Sequence, residues 1–316
     1  MALMLSSPVT LTITADAVWR DSDVSAYLSS DASGALITII PAANDAFAIR
    51  RNGSTDTWAE NEDMEGGGRT MIIAPLDGNQ IFEYWAENGK TFTMQLWGEV
   101  LEEEFFALTN ATQYDFDTSW TMLDLTSDVD GTDVMKAAIF TMYTGGNQRD
   151  VGIRHADETT TLDHQNTRSG SQLVSAVNAS DQVDVWSDDN NTDLYLTGYF
   201  KEADNTIVNA SLNTDSYDIV TASTWETAYT GLGNNTVAFG TTTGASSAST
   251  GGIRAASGDN EFISDKGNRT FGALWYCQAT SGSLQAISST TNMNFHLVVK
   301  IEQAVPAGAS FIGLPV

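Results

Sequence analysis

Residues 192–200 read Thr-Asp-Leu-Tyr-Leu-Thr-Gly-Tyr-Phe, with apolar and polar residues alternating and aromatics frequent. The same alternation runs through Lys90-Thr-Phe-Thr-Met-Gln-Leu-Trp97 and Asn294-Phe-His-Leu-Val-Val-Lys-Ile301. Successive side chains on a strand point to opposite faces, so this period marks half-buried β-strands. Turn-forming clusters precede each segment: Glu87-Asn88-Gly89, Asp188 to Asn191, and Ser288 to Asn292. Further strands are predicted at 36–40, 70–74, 81–85, 136–143, 172–177, 183–186, 236–239 and 271–277. Many short strands at close spacing indicate sandwiches or barrels.

Working outward, the three alternating segments close three copies of one pattern. Each contains a marker leucine: Leu96, Leu196 and Leu297. An Ile-Arg pair precedes it at Arg50, Arg154 and Arg254, roughly 100 residues apart. A second arginine followed by a hydroxyl residue lies between them, at Arg69, Arg168 and Arg269, and a tryptophan stands upstream, at Trp19, Trp120 and Trp225. Four markers in constant order, three times, predict an all-β chain of three tandem β-sandwich, jelly-roll-like domains. The expected boundaries are 1–104, 105–204 and 205–316, at the polar hand-overs Glu102 to Glu104 and Lys201 to Asp204. Tandem sandwiches suggest an elongated rod. The Gly-, Ser-, Thr- and Ala-rich stretch 239–252 reads as a mobile surface loop. The apolar tail 304–316, with Phe311, Ile312, Leu314 and Val316, reads as an extended arm laid across a neighbour.

Composition excludes several roles. The 316 residues carry 41 acidic and 14 basic side chains, a formal charge of −27. Such a chain is repelled by phosphate backbones and anionic membranes, so neither nucleic acid nor membrane is expected as a partner. Cys277 is the single cysteine, which rules out an internal disulfide and a zinc cluster. The first residues lack a basic region and a long apolar run, so synthesis in a cytoplasm without an export signal is expected.

Candidate chemistry is sparse. The recurrent arginines could hold a carboxylate or phosphate in their planar fork, but a position repeated in every unit more simply serves the fold. The recurrent tryptophans read as core or interface anchors, with sugar-stacking platforms as the alternative. His155 and His164 fall in one expected loop, as solvated residues beside carboxylates. Asp128, Asp130 and Asp133 form a weak calcium-like string around Gly131. An EF-hand is ruled out, because its glycine and terminal glutamate positions hold Asp133 and Ile139. No nucleophile elbow, phosphate loop or dinucleotide fingerprint occurs, so no enzyme and no cofactor is expected. Sequons stand at Asn52, Asn110, Asn178 and Asn268.

The stretches from Gly152-Ile-Arg-His-Ala-Asp-Glu158 to Leu194-Tyr-Leu-Thr-Gly-Tyr-Phe200, and from Ala48-Ile-Arg-Arg51 to Met94-Gln-Leu-Trp-Gly-Glu-Val100, resemble β-rich repeat units in virion structural proteins of tailed phages. The third unit departs from the pattern, with Val299-Lys300-Ile301 in place of the Gly-aromatic ending. The resemblance implies a head-decoration, cement, fibre or tail-accessory protein in the virion, released by lysis and carrying no catalytic residues. Its expected partners are copies of itself, as a trimer, and other virion proteins such as the major capsid protein. The residues also leave open a filament or surface-layer subunit that assembles by strand addition, and a carbohydrate-binding adhesive module.

Overall fold

The computed structural model describes residues 3–43, 45–57, 63–64, 69–115, 117–143, 149–159, 163–167, 171–203, 206–208, 216–233, 236–243, 251–255, 262–264, 274–279, 282–291 and 293–302. Among these the regular structure is β-strand apart from one 3₁₀ turn at Thr126–Asp128. No helix of the described residues is long and apolar enough to cross a membrane.

The first run of strands is β1 Leu3–Leu11, β2 Arg20–Asp23, β3 Ala32–Pro41, β4 Asp45–Arg51, β5 Asp63–Met64, β6 Thr70–Pro75, β7 Ile81–Ala86 and β8 Phe92–Leu101. They form two antiparallel sheets, ordered β1-β8-β3-β6 and β2-β7-β4-β5. The first strand pairs with the last and the remainder nest inside, which is the jelly-roll order of two interlocked Greek keys.

The second run repeats it: β9 Phe105–Asp115, β10 Thr121–Asp124, β11 Met135–Tyr143, β12 Arg149–His155, β13 Asp163–Thr167, β14 Gln172–Ala176, β15 Gln182–Ser187 and β16 Asp193–Lys201. Its sheets are β9-β16-β11-β14 and β10-β15-β12-β13. The third run is β17 Thr206–Val208, β18 Ser216–Asp218, β19 Glu226–Thr230, β20 Thr236–Thr243, β21 Gly251–Ala255, β22 Phe262–Ser264, β23 Leu274–Ala279, β24 Ser283–Ser288 and β25 Asn294–Ile301. Here the first strand is split, and β17 and β18 both pair with β25. The chain is thus all-β and built of jelly-roll sandwiches.

Each closing strand carries the same irregularity. Leu36 and Ile37 pair with Gly98 and Leu96, leaving Trp97 extra. Thr197 is extra in β16 and Val298 in β25 by the same register shift. Each marker leucine is therefore the residue before a β-bulge, which bends the strand and strengthens its twist.

The three sandwiches do not form a rod. In each, the closing strand and the two strands beyond it in its sheet are buried on both faces along most of their length. The inner face of this sheet packs inside the sandwich; its outer face joins a core shared by all three units. That core contains Leu36 and Ile73, Ile139, Val174 and Phe200, and Phe239, Tyr276 and Leu297. Phe200 lies 4.9 Å from Phe239, and Phe105 lies 5.5 Å from Phe200, between ring centroids. Edge strands β6, β14 and β23 meet at this centre. The Gln172 side chain pairs with the backbone of Ile73, accepting from its N–H at 2.7 Å and donating to its carbonyl at 3.1 Å. The hydroxyls of Thr38 and Tyr276 lie 3.4 Å apart, tying the third unit to the first. A rod would leave these double-sided apolar strands wet, and burial of apolar area drives them together instead.

Other expectations also change. The stretch expected as a mobile loop at 239–252 begins inside β20 and ends inside β21, and 244–250 lie outside the described residues. The hand-over residue Glu104 is fully buried. The arm residues Phe311, Ile312, Leu314 and Val316 lie outside the described residues.

Candidate functional site: the repeated tryptophan–arginine clusters and the unit junctions

The most distinctive side-chain arrangement is the one the sequence repeats. Arg50, Arg154 and Arg254 stand at matching places on β4, β12 and β21. Their cross-strand partners are Glu83, Asp184 and Gln285 on β7, β15 and β24. The Arg50 Nε donates to Glu83 at 2.7 Å, Arg154 donates from Nε and Nη2 to Asp184 at 3.2 and 3.1 Å, and Arg254 Nε donates to Gln285 at 2.9 Å.

Each guanidinium also lies over the ring of the upstream tryptophan. The distances to the centroids of Trp19, Trp120 and Trp225 are 3.9, 3.9 and 4.1 Å. The tryptophan enters from the loop before β2, β10 or β19 and is held against the sheet by the arginine. Such a stack contributes about 0.5–2 kcal/mol, more when shielded from water. One face of each indole is thereby covered, which leaves a sugar only the other. In the second unit Trp186 stacks on Trp120 at 6.4 Å.

Replacing Arg154 with alanine is expected to cost about 2 kcal/mol, because Asp184 is left without its counter-charge in a largely buried position. Arg254→Ala is expected to cost less, since its acceptor is a neutral amide. Urea denaturation midpoints of the two variants check the order.

Of the second arginines, Arg69 is described and has an interaction partner, while Arg168 and Arg269 lie outside the described residues. The calcium-like string is used differently. Asp128 accepts hydrogen bonds from the hydroxyls of Thr112 and Tyr114. Tyr199 donates to Asp133 at 3.2 Å and accepts from the Asp130 N–H at 2.8 Å. Lys201 lies 3.5 Å from Asp133. Burial first, and then Asp128, push the Tyr114 hydroxyl above its usual range. Among the described residues no three His, Cys, Asp or Glu side chains form a metal-binding group.

His155 and His164 are not in one loop. His155 ends β12 and is buried, and His164 lies on the neighbouring β13, opposite Val151. His296 is buried on β25. The sequon amides at Asn52, Asn110 and Asn178 are engaged in hydrogen bonds to Asp77, to Ser54 and Thr55, and to Gln182. Asn268 lies outside the described residues.

Sequence reading missed the junction between the first two units. In β9 the register against β16 jumps from Ala107 to Thr112, so 108–111 bulge outward. This excursion docks on the 51–56 loop: Arg51 Nη1 donates to Thr109 at 2.6 Å, Ser54 and Thr55 both donate to Asn110 Oδ1, and the Ala111 N–H donates to Asp56 at 2.7 Å. A matching jump from Met4 to Val9 occurs in β1.

No protein-family model and no curated protein matches the chain. Among solved structures, the crystal structure of the STIV MCP is similar at 8% identity and a TM-score of 0.25, over 63% of this chain and 96% of that one. The atomic structure of Sulfolobus Turreted Icosahedral Virus contributes a chain at 9% identity and a TM-score of 0.22, over 96% of this chain and 91% of that one. A third, from work on the triple jelly-roll fold and turret assembly in an archaeal virus, gives 9% identity and 0.21, over 95% and 89%. Likeness at this level carries no inference about function.

Proposed function

We propose that this chain is a structural protein of a virion, sitting on the capsid or tail surface as a decoration or cement block and assembling with copies of itself. The observation that carries the reading is the shared core. Three like sandwiches turn their closing sheets inward, which produces a compact three-sided block with its second sheets outward. The recurrent tryptophans and the arginines of the Ile-Arg pairs are absorbed in cross-strand clusters that secure this scaffold. A formal charge of −27 keeps such blocks soluble and repelled by nucleic acid. The resemblance of residues 48–100 and 152–200 to phage virion repeats points the same way. The compact form favours a block over a fibre.

The division at 1–104, 105–204 and 205–316 belongs to the same proposal, as do the trimer and contact with a major capsid protein. Electron microscopy of the native source tests it. Density for the block on particle surfaces is expected. The chain found free of any particle would count against the proposal, and filaments that vanish on deleting 304–316 would favour strand addition instead.

A further inference from the structure

We infer that Asn52 is a slow modification site: Gly53 closes a succinimide ring on it, ammonia leaves, and the aspartyl product loosens the junction of the first two units. The chain has two Asn-Gly pairs, Asn52-Gly53 and Asn88-Gly89. Glycine carries no Cβ to crowd the attack of its nitrogen on the preceding side chain. Both pairs sit in tight turns. The Ser54 N–H donates to the Arg51 carbonyl at 3.0 Å and the Lys90 N–H to the Glu87 carbonyl at 3.2 Å, with φ of 82° at Gly53 and 74° at Gly89.

Exposure alone favours Asn88, which is open to solvent while Asn52 is half-buried. The hydrogen bonds favour Asn52. The attacking nitrogen must first lose its proton to base, as in hydrogen exchange, and a bonded N–H must open before base reaches it. The Gly89 N–H donates to the Ala15 carbonyl at 3.0 Å. Its turn is held further by Lys90, 2.8 Å from Asp45 and 3.5 Å from Glu87. The Gly53 N–H has no acceptor among the described residues.

The leaving group is also placed. Asn52 Nδ2 donates to Asp77 Oδ2 at 2.8 Å. In the reaction the bond from Gly53 N to Asn52 Cγ forms and the Cγ–Nδ2 bond breaks. The proton lost by Gly53 N balances the one that Nδ2 takes up to depart as ammonia. A carboxylate beside that nitrogen stabilises the positive charge it gains. Water then opens the ring at either carbonyl, giving Asp or isoAsp at position 52. The product lies in the loop that ties the junction through Thr109, Asn110 and Ala111. A carboxylate there meets Asp77 as a like charge where a donor stood. The isoAsp form also adds a methylene to the main chain, which shifts Ser54 to Asp56 against Asn110 and Ala111.

The test keeps the full chain in warm, mildly alkaline buffer and follows each asparagine by peptide mass spectrometry, which reads the exchange of NH2 for OH. Asn52 is expected to convert before Asn88. Asp77→Asn is expected to slow Asn52 about tenfold, the size of one charged hydrogen bond acting in a transition state, and to leave Asn88 unchanged. This variant keeps its turn: Asn178 holds the same place in the second unit and accepts from the Ser180 and Gln182 N–H groups, as Asp77 accepts from those of Asn79 and Ile81. Converted chain, separated by its added negative charge, is expected to exchange the amide hydrogens of Thr55 and Ala111 several-fold faster than fresh chain. Asn88 converting first, no conversion at Asn52, an unchanged rate in Asp77→Asn, or unchanged exchange at Thr55 and Ala111 would each overturn the inference.

Discussion

Gly240→Ala is expected to destabilise the third unit by more than about 3 kcal/mol and to yield little soluble protein, because overpacking against backbone cannot be relieved by a rotamer change. An alanine Cβ at this place would lie 2.0 Å from the His296 carbonyl oxygen and 2.2 Å from the Trp275 ring. The requirement comes from the repeat. In the register, Gly240 sits between Trp275 and Leu297, as Ile37 sits between Ile72 and Leu96, and Phe140 between Leu173 and Leu196. The other two units fill the central strand and leave an aliphatic residue beside it. The third empties the central strand and lays an indole across it, with Trp275 Nε1 donating to the Thr241 carbonyl at 3.2 Å. Adding Trp275→Leu to Gly240→Ala is expected to recover part of the loss. Guanidinium denaturation of the single and double variants measures the coupling; additive effects would show that the indole does not set the requirement.

Gln172→Leu comes second, at about 3 kcal/mol. β6 is an edge strand, so sheet pairing alone leaves outward N–H and carbonyl groups on it. The Gln172 amide satisfies both groups of Ile73 and is itself almost fully buried. Leucine matches the side chain in size but can neither donate nor accept. It would strand two backbone groups in an apolar core, each costing about 1–3 kcal/mol. The loss is expected as a lower urea midpoint with an unchanged denaturant slope. A midpoint within error of wild type would mean that the Gln172 amide adds nothing to the junction of these two units.

The fold was largely legible because its signals are local. Strand alternation, turn chemistry and the recurring Trp, Arg and Leu markers place strands and repeats without any knowledge of long-range contacts. The shape was also written in the chain, in a different signal. Strands 36–40, 71–74, 137–140 and 274–277 are nearly continuous apolar runs, whereas 182–185 and 283–286 alternate polar and apolar. Continuous runs belong to strands covered on both faces. The tandem order of the sandwiches, which suggested a rod, carries no information about these two-sided strands.

The clusters were half legible. Trp19 and Arg50 recur in step, but their contact needs the strand order that brings the β2 entry across β7 to β4. The third member changes type from Glu83 to Asp184 to Gln285, so it leaves no repeat signature. Gln172 was invisible for a related reason. A lone amide in a strand resembles an exposed position until a backbone edge from another unit is placed against it.

X-ray scattering on the monomeric fraction as it leaves a size-exclusion column tests the shared core most directly. Three sandwiches gathered about a common core give a radius of gyration of about 20 Å, the value for a compact chain of this length. A radius near about 30 Å, as for three compact units strung end to end, would contradict the packing and the block-like role built on it.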